Sequence, residues 1–149
     1  MPRVKLTEQP KYEFSYPITL QPRDINYGGH LGNDAIVVLL NIARVNALRS
    51  MGFSENDLGD GRTGIIMSDL VVNYKAEGFV FEQLTLDTHI GELKPGNFRI
   101  FHRISRGDTR IALAETGVVT FDYSSHKVGK VPDVFRSAVE GNKAPRNVT

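Results

Sequence analysis

Over residues 12–20 the apolar and aromatic positions Phe14, Tyr16, Ile18 and Leu20 alternate with Glu13, Ser15 and Thr19. A period of two puts one set of side chains on one face of a pleated strand, so this segment is predicted to be a half-buried strand. Pro17 has no N–H for a sheet ladder, which restricts that strand to an edge or a bulge. Residues 21–32 contain Pro22, Gly28, Gly29 and Gly32 and are predicted to form a loop. The pattern then turns helical from Asn33 or Asp34 as far as Met51, with Gly52 as its stop. Ala35, Ile36, Val37, Val38, Leu39, Leu40, Ile42, Ala43 and Val45 leave almost no polar face in the first turns, which predicts a helix buried nearly all round. Its β-branched residues have modest helix preference, so surrounding structure must hold it.

Strands predicted at residues 65–74, 84–93, 98–105 and 109–123 supply the wrapping. Turn residues Lys94, Pro95, Gly96 and Asn97, and then Arg106, Gly107 and Asp108, make the last three antiparallel neighbours. Leu84, Leu86 and Ile90 alternate with Thr85, Asp87 and His89, and Phe98, Ile100 and Ile104 alternate with Arg99 and Arg103. One sheet face is therefore predicted to meet the helix and the other to meet water. Pro132 followed by residues 133–140 predicts a short terminal helix. Residues 1–11 are expected to be a flexible lead and 141–149 a polar tail, leaving 12–140 as one α+β domain, a long central helix wrapped by an antiparallel sheet of about five strands.

Composition narrows the chemistry. The 149 residues, 40% hydrophobic and 23% charged, suit a single domain whose core needs no metal or disulfide staple. The absence of cysteine excludes disulfides, thiolate metal sites and thiol nucleophiles, and a reducing cytoplasm is the expected compartment. Eighteen Lys and Arg against 17 Asp and Glu give a net charge of +1, too little for an overall field toward nucleic acid or an acidic membrane. The longest wholly apolar run, residues 35–40, is far below the roughly 20 residues of a membrane span, and no targeting segment is visible. His30, His89, His102 and His126 are scattered without paired spacing, so neither a metal nor another cofactor is expected.

A strand, a glycine-rich loop, one long helix and an antiparallel meander is the order of elements in the hotdog fold. Within it, RDINYGGHLGNDAIVVLLNIARVNALRSMGF resembles the acyl-CoA thioesterases of the 4-hydroxybenzoyl-CoA thioesterase type. That family often shows Asp-x-Asp-x-x-Gly-His-x-Asn-Asn entering the helix and Glu-Ala-Arg plus an apolar residue inside it; here Asp24, Gly29, His30, Asn33, Ala43, Arg44 and Val45 match. IIMSDLVVNYKAEG is similar to the family's second strand, and FDYSSHKVGKVPD to its final strand running through a turn to a proline. The resemblance spans roughly residues 12–140. It implies hydrolysis of an acyl-CoA or acyl-carrier thioester by a homodimer or tetramer whose sites draw on two subunits. Two positions depart from the pattern: the second Asp, a nucleophile or general base in many relatives, falls on Asn26, and the helix Glu falls on Ile42. A neutral amide can neither accept a proton at pH 7 nor attack as a carboxylate. Asn26 retains the capacity to orient a water or hydrogen-bond the substrate carbonyl, and the base is unassigned. Two alternatives therefore stand beside hydrolysis: a non-catalytic acyl-CoA-binding module, and an acyl-thioester dehydratase or hydratase.

Thioester hydrolysis needs a base or nucleophile, donors for the oxyanion, and a dry cleft. The backbone N–H groups of Gly32, Asn33 and Asp34, at a helix start carrying about +0.5 charge, are the candidate oxyanion donors, although Asn33 or Asp34 equally suits a helix cap. His30 sits in the matched motif and is a candidate to take a proton from water or to orient Asn26. Asp24 is the reserve base, with a turn-bracing role as its plainer reading. Tyr27 and Gly29 on the same loop, and Ser68, are candidate substrate contacts. Ser68 shares the strand parity of Ile66, Leu70, Val72 and Tyr74, hence their inward face. A two-residue turn at Gly107 and Asp108 would set His102 and Glu115 diagonally on one face, the pair a dehydratase would require. Arg103, Arg106, Arg110, Lys127 and Lys130 are candidates for the phosphates of coenzyme A or for a solvated surface.

Overall fold

The structure is a computed structural model and describes residues 1–141 and 146–147. Its elements are β1 (Phe14–Thr19), a 3-10 turn (Pro22–Asp24), α1 (Asn33–Ser50), β2 (Thr63–Tyr74), β3 (Gln83–Gly91), β4 (Asn97–Arg106), β5 (Thr109–Asp122), β6 (Lys127–Val128), α2 (Asp133–Gly141) and β7 (Arg146–Asn147). One sheet runs β2-β5-β4-β3-β1-β7, with β6 paired to β5. The five long strands and both helices lie close to their predicted bounds. The expected tail is shorter: Gly141 ends α2, and Arg146–Asn147 pairs in parallel with Phe14 and Ser15. Residues 142–145 and 148–149 of that tail lie outside the described residues.

Helix α1 lies on the sheet through a stripe spaced three and four residues apart: Ile36, Leu39, Leu40, Ala43, Arg44, Ala47 and Leu48. The opposite stripe is not covered, with Val38 and Val45 52% and 45% exposed, so the helix is half-buried rather than buried all round. One sheet shields only one side of a cylinder, and the remaining apolar side faces outward. Leu31, Ile36, Leu39 and Leu40 pack with Leu20, Leu84 and Ile111 under the helix start. Toward its other end Phe135 of α2 meets Phe98 and Phe53, ring centroids 5.2 Å apart in each pair.

Two bulges decide which side chains face the helix. Between Met67 and Asp69 the β2 register shifts against β5, making Ser68 the extra residue. Ser68 is exposed, bonds Asp69 Oδ1 at 3.0 Å and lines a cleft between β2 and α1 with Val37, Leu40 and Arg44. A second shift lies between Ile104 and Ser105: the hairpin pairs Ser105 with Arg110, but Ile104 with Ala112. One extra residue on β5 reverses the faces beyond it. His102 pairs with Ala114, while Glu115 pairs with Phe101. The expected His102–Glu115 pair is therefore split across opposite faces.

The outer sheet face is covered in part by the lead. Leu6 N–H bonds Asn73 Oδ1 at 2.7 Å, Asn73 Nδ2 donates to the Val4 carbonyl at 2.9 Å, and Glu8 pairs with Arg103 and Arg110 at 2.7 and 3.0 Å. Tyr12 lies under the Arg103 guanidinium, 4.5 Å from it. The lead is irregular but strapped across the strands rather than loose, and Phe101 and Leu113 are buried on this face.

On the inner face Thr88, His102 and Thr116 form a polar group among hydrophobic side chains, all nearly inaccessible. His102 Nδ1 lies 3.0 Å from Thr88 Oγ1. Burial, with the nearby charge of Arg44, lowers the imidazole's pKa to about 3, so it is neutral in the folded protein. An unfolded histidine protonates near 6.5. The folded pKa is depressed, so the unfolded state binds more protons between these values and stability falls as pH falls through that window. Urea unfolding is expected to lose on the order of 1–2 kcal/mol from this group between about pH 7 and pH 5. His102→Leu should flatten that part of the pH profile; an unchanged slope would contradict the assignment.

Candidate active site

The loop after β1 is closed by its own backbone. Asn26 N–H donates to the His30 carbonyl at 3.0 Å, Gly29 N–H returns to the Asn26 carbonyl at 3.0 Å, and Ile25 bridges Leu31. Gly29 takes φ +81°, a left-handed conformation that glycine adopts without a Cβ penalty. Leu31 N–H bonds the Gly78 carbonyl at 2.7 Å, and the Tyr74 hydroxyl donates to the Asn33 carbonyl at 3.2 Å. Those two bonds fix the loop and helix start against the end of β2.

Within this frame Asn26 Oδ1 accepts Gly28 N–H at 2.9 Å, which leaves the Asn26 Nδ2 hydrogens available to a ligand. His30 Nδ1 faces the Leu31 carbonyl at 3.4 Å; with the proton on Nδ1, Nε2 carries the free lone pair. A Cβ on Gly28 would lie 2.8 Å from His30 Nε2 and 3.3 Å from Asn26 Oδ1. Glycine at position 28 is thus what lets the imidazole and the amide approach one another. At the helix start Gly32 N–H is already given to the Asp24 carbonyl at 3.0 Å, so Gly32 is not an available oxyanion donor. The N–H groups of Asn33 and Asp34 are free of partners among the described residues, as first-turn donors usually are. A cleft of about 410 Å³ is lined by Asn26, His30 and Asn33 on one side, Ile36 beneath, and Tyr74, Lys75 and Glu77 across, whereas Asp34 lines a neighbouring cleft.

Residues 20–139 match the sequence model of the thioesterase-like superfamily. The chain belongs to that superfamily. No curated protein matches the chain. Among solved structures, a 1,4-dihydroxy-2-naphthoyl-CoA thioesterase from Synechocystis superposes with a TM-score of 0.78 at 18% identity, over 89% of this chain and 98% of that one. A gentisyl-coenzyme A thioesterase gives 0.74 at 21% identity, over 84% and 98%. A hypothetical protein from Aquifex aeolicus gives 0.77 at 19%, over 85% and 98%. The fold is the hotdog fold, and thioester hydrolysis is the activity that membership in the thioesterase-like superfamily supports.

The remaining candidates of this thioesterase-like site separate clearly. Asp24 uses Oδ2 to accept Gln21 N–H at 2.8 Å, bracing the 3-10 turn, and lines a neighbouring cleft of about 340 Å³ with Gly32 and Asp34. Asp34 Oδ1 bonds Ala35 N–H at 2.9 Å, and the helix cap itself is Gly32, without a side-chain bond. Tyr27 is fully exposed at the loop tip and lines neither of these two clefts. Arg103, Arg106 and Arg110 are held by Asp87, Glu82 and Glu8, so their charge is spent within the fold. Among the described residues no group of His, Asp and Glu could hold a metal, and no helix is long and apolar enough to cross a membrane.

Sequence reasoning missed Tyr74, Lys75 and Glu77, which reach the cleft only because β2 ends beside the helix start. Their one sequence signal is that Lys75 and Glu77 break the apolar alternation as β2 ends.

Gly28→Ala tests the loop geometry. Position 28 needs no left-handed φ, so the fold should persist while the methyl displaces the His30 ring. A misplacement of this kind should lower kcat about tenfold to a hundredfold, with the thermal midpoint nearly unchanged. Full activity in that variant would contradict the arrangement.

Proposed function

We propose that this chain is a cytoplasmic acyl-CoA thioesterase acting as a homodimer, or as a dimer of dimers, with its catalytic centre at the loop before α1. One observation carries the reading: Asn26 with its free amide hydrogens, His30, and Asn33 with its unpaired N–H line one cleft at the start of α1. His30 Nε2 removes a proton from water, and the resulting hydroxide attacks the thioester carbonyl carbon. Asn26 Nδ2 orients the water or the carbonyl. The carbonyl oxygen, now negative, meets the N–H groups at the positive end of α1. Collapse expels the thiolate, which takes the proton from His30, leaving a free acid and a free thiol. Glu77 is the carboxylate across the same cleft and stands as the second candidate base. Lys75, on that wall and without an ion pair among the described residues, is the cation proposed for the phosphates of coenzyme A.

Assembly is supported by the uncovered stripe of α1 and by the neighbouring edge strand β2, where Ile66, Met67 and Leu70 are all exposed. An apolar edge strand of this length needs a partner. Asn26 in place of a carboxylate favours a second reading, an acyl-CoA-binding module without turnover. The dehydratase alternative has lost its candidate pair, since His102 and Glu115 occupy opposite faces.

Thiol release from short, long and aromatic acyl-CoAs separates these readings. Wild type should turn over at least one of them. Asn26→Ala and His30→Ala should each lose about a hundredfold or more. Turnover that survives His30→Ala and disappears in Glu77→Gln would move the base to Glu77. No turnover with saturable acyl-CoA binding would establish the binding module. The mass in solution should be two or four times 16.6 kDa; a monomer would contradict the assembly.

A further inference from the structure

The two walls of the catalytic cleft are held in different ways. The near wall, from Asn26 to Leu31, is closed by its own backbone bonds. The far wall leaves β2 after Tyr74, and no helix or strand forms again before Gln83. Lys75 and Ala76 are still tied to β5, both N–H groups donating to the Ile111 carbonyl, at 2.9 and 3.2 Å. Beyond them that support ends: among the described residues Glu77 makes no backbone–backbone hydrogen bond.

A side chain from outside the cleft takes over. Arg106, the last residue of β4, does not line the cleft. From a single nitrogen, Nη1, it donates to the Glu77 carbonyl and to Glu82 Oε1, each at 2.9 Å. Glu82 Oε1 also accepts Phe79 N–H at 2.7 Å. Between these contacts the Gly78 carbonyl accepts Leu31 N–H at 2.7 Å. The guanidinium therefore holds the stretch that joins the far wall to the residue after His30. That stretch is not in a relaxed shape. Phe81 takes φ +68° with its ring 67% exposed, a left-handed conformation that is unfavourable for a bulky side chain and persists only where surrounding contacts impose it. Here Phe81 N–H donates to the Leu20 carbonyl, Leu20 N–H returns to the Glu82 carbonyl, both at 2.9 Å, and Glu82 is fixed by Arg106. A segment held away from its relaxed geometry shifts when the contact that holds it is cut.

We propose that Arg106 is a positioning residue of the catalytic cleft: through the Glu77 carbonyl and the Glu82 carboxylate it sets the separation of the Glu77 wall from the His30 loop. This rests on the thioesterase reading above. Lys75 stays on the Ile111 carbonyl, so loss of the clamp acts on kcat rather than on KM. Arg106→Met keeps the apolar stem and removes both bonds. It should lower kcat for acyl-CoA hydrolysis about tenfold or more, with KM within about twofold of wild type. Arg106→Lys, whose one ammonium can make both bonds, should keep kcat within about threefold. The Leu31 amide, bonded to the Gly78 carbonyl, should exchange with deuterium about tenfold faster in Arg106→Met, while the core amides of Leu86 and Ile100 do not change. Wild-type kcat in Arg106→Met, an equal loss in Arg106→Lys, or exchange that quickens equally at Leu86 and Ile100 would overturn the positioning role. Absence of thiol release by wild type from every acyl-CoA would instead sink the thioesterase reading; unchanged Leu31 exchange in Arg106→Met would then still show that Arg106 does not hold the two walls.

Discussion

The burial of one helix stripe against one sheet face is the constraint on which the rest of this molecule depends. Leu39, Leu40 and Leu48 are almost entirely removed from water, each contributing roughly 1.5–3 kcal/mol by transfer. That packing fixes the rotation of α1 and so the direction of its first-turn N–H groups. It also determines which side chains are left for the cleft between α1 and β2. The loop holding Asn26 and His30 is anchored to this frame at both ends, through the Ile25–Leu31 bridge and the Gly78 carbonyl.

Charge is organised by the opposite face. Arg99 bonds both Asp69 and Glu115, and Arg103 holds both Asp87 and Glu8. Both arginines lie on the outward parity of β4. Their paired carboxylates keep a net charge near zero from leaving isolated ions beside the core. Exposed pairs of this kind contribute little stability individually. Their structural effect is to hold neighbouring strands and the lead in one arrangement, and to remove these guanidinium groups from ligand binding.

The long elements were legible because hydrophobic periodicity reports directly on burial, and the segment from Asp24 to Val45 carried the family likeness on a contiguous stretch. Less local features were not. The bulge beyond Ile104 inserts a single residue, and nothing in the alternation around it marks the insertion, so His102 and Glu115 were assigned to one surface. Gly32 looked like a donor because its position is a helix start; the commitment of its N–H to the Asp24 carbonyl depends on how the loop folds back. Tyr74 at the end of β2, and Lys75 and Glu77 in the segment after it, are remote in sequence from the loop. The apolar helix pattern read as complete burial, whereas the same residues divide between a packed stripe and an exposed one. No sequence period distinguishes a face covered within the chain from a face left for another.

The lead also bears on the order in which the fold is completed. Its bonds to Asn73, Arg103 and Arg110 join residues 67 to 102 positions apart. Such closures incur a loop-entropy cost and become favourable only after the strands they cross have assembled. The lead is therefore among the last segments to be secured, and Phe101 and Leu113 lack this cover until then. The amino-terminal strap acts as a late latch on the sheet, and an extension attached there competes with the closing step more directly than with the core.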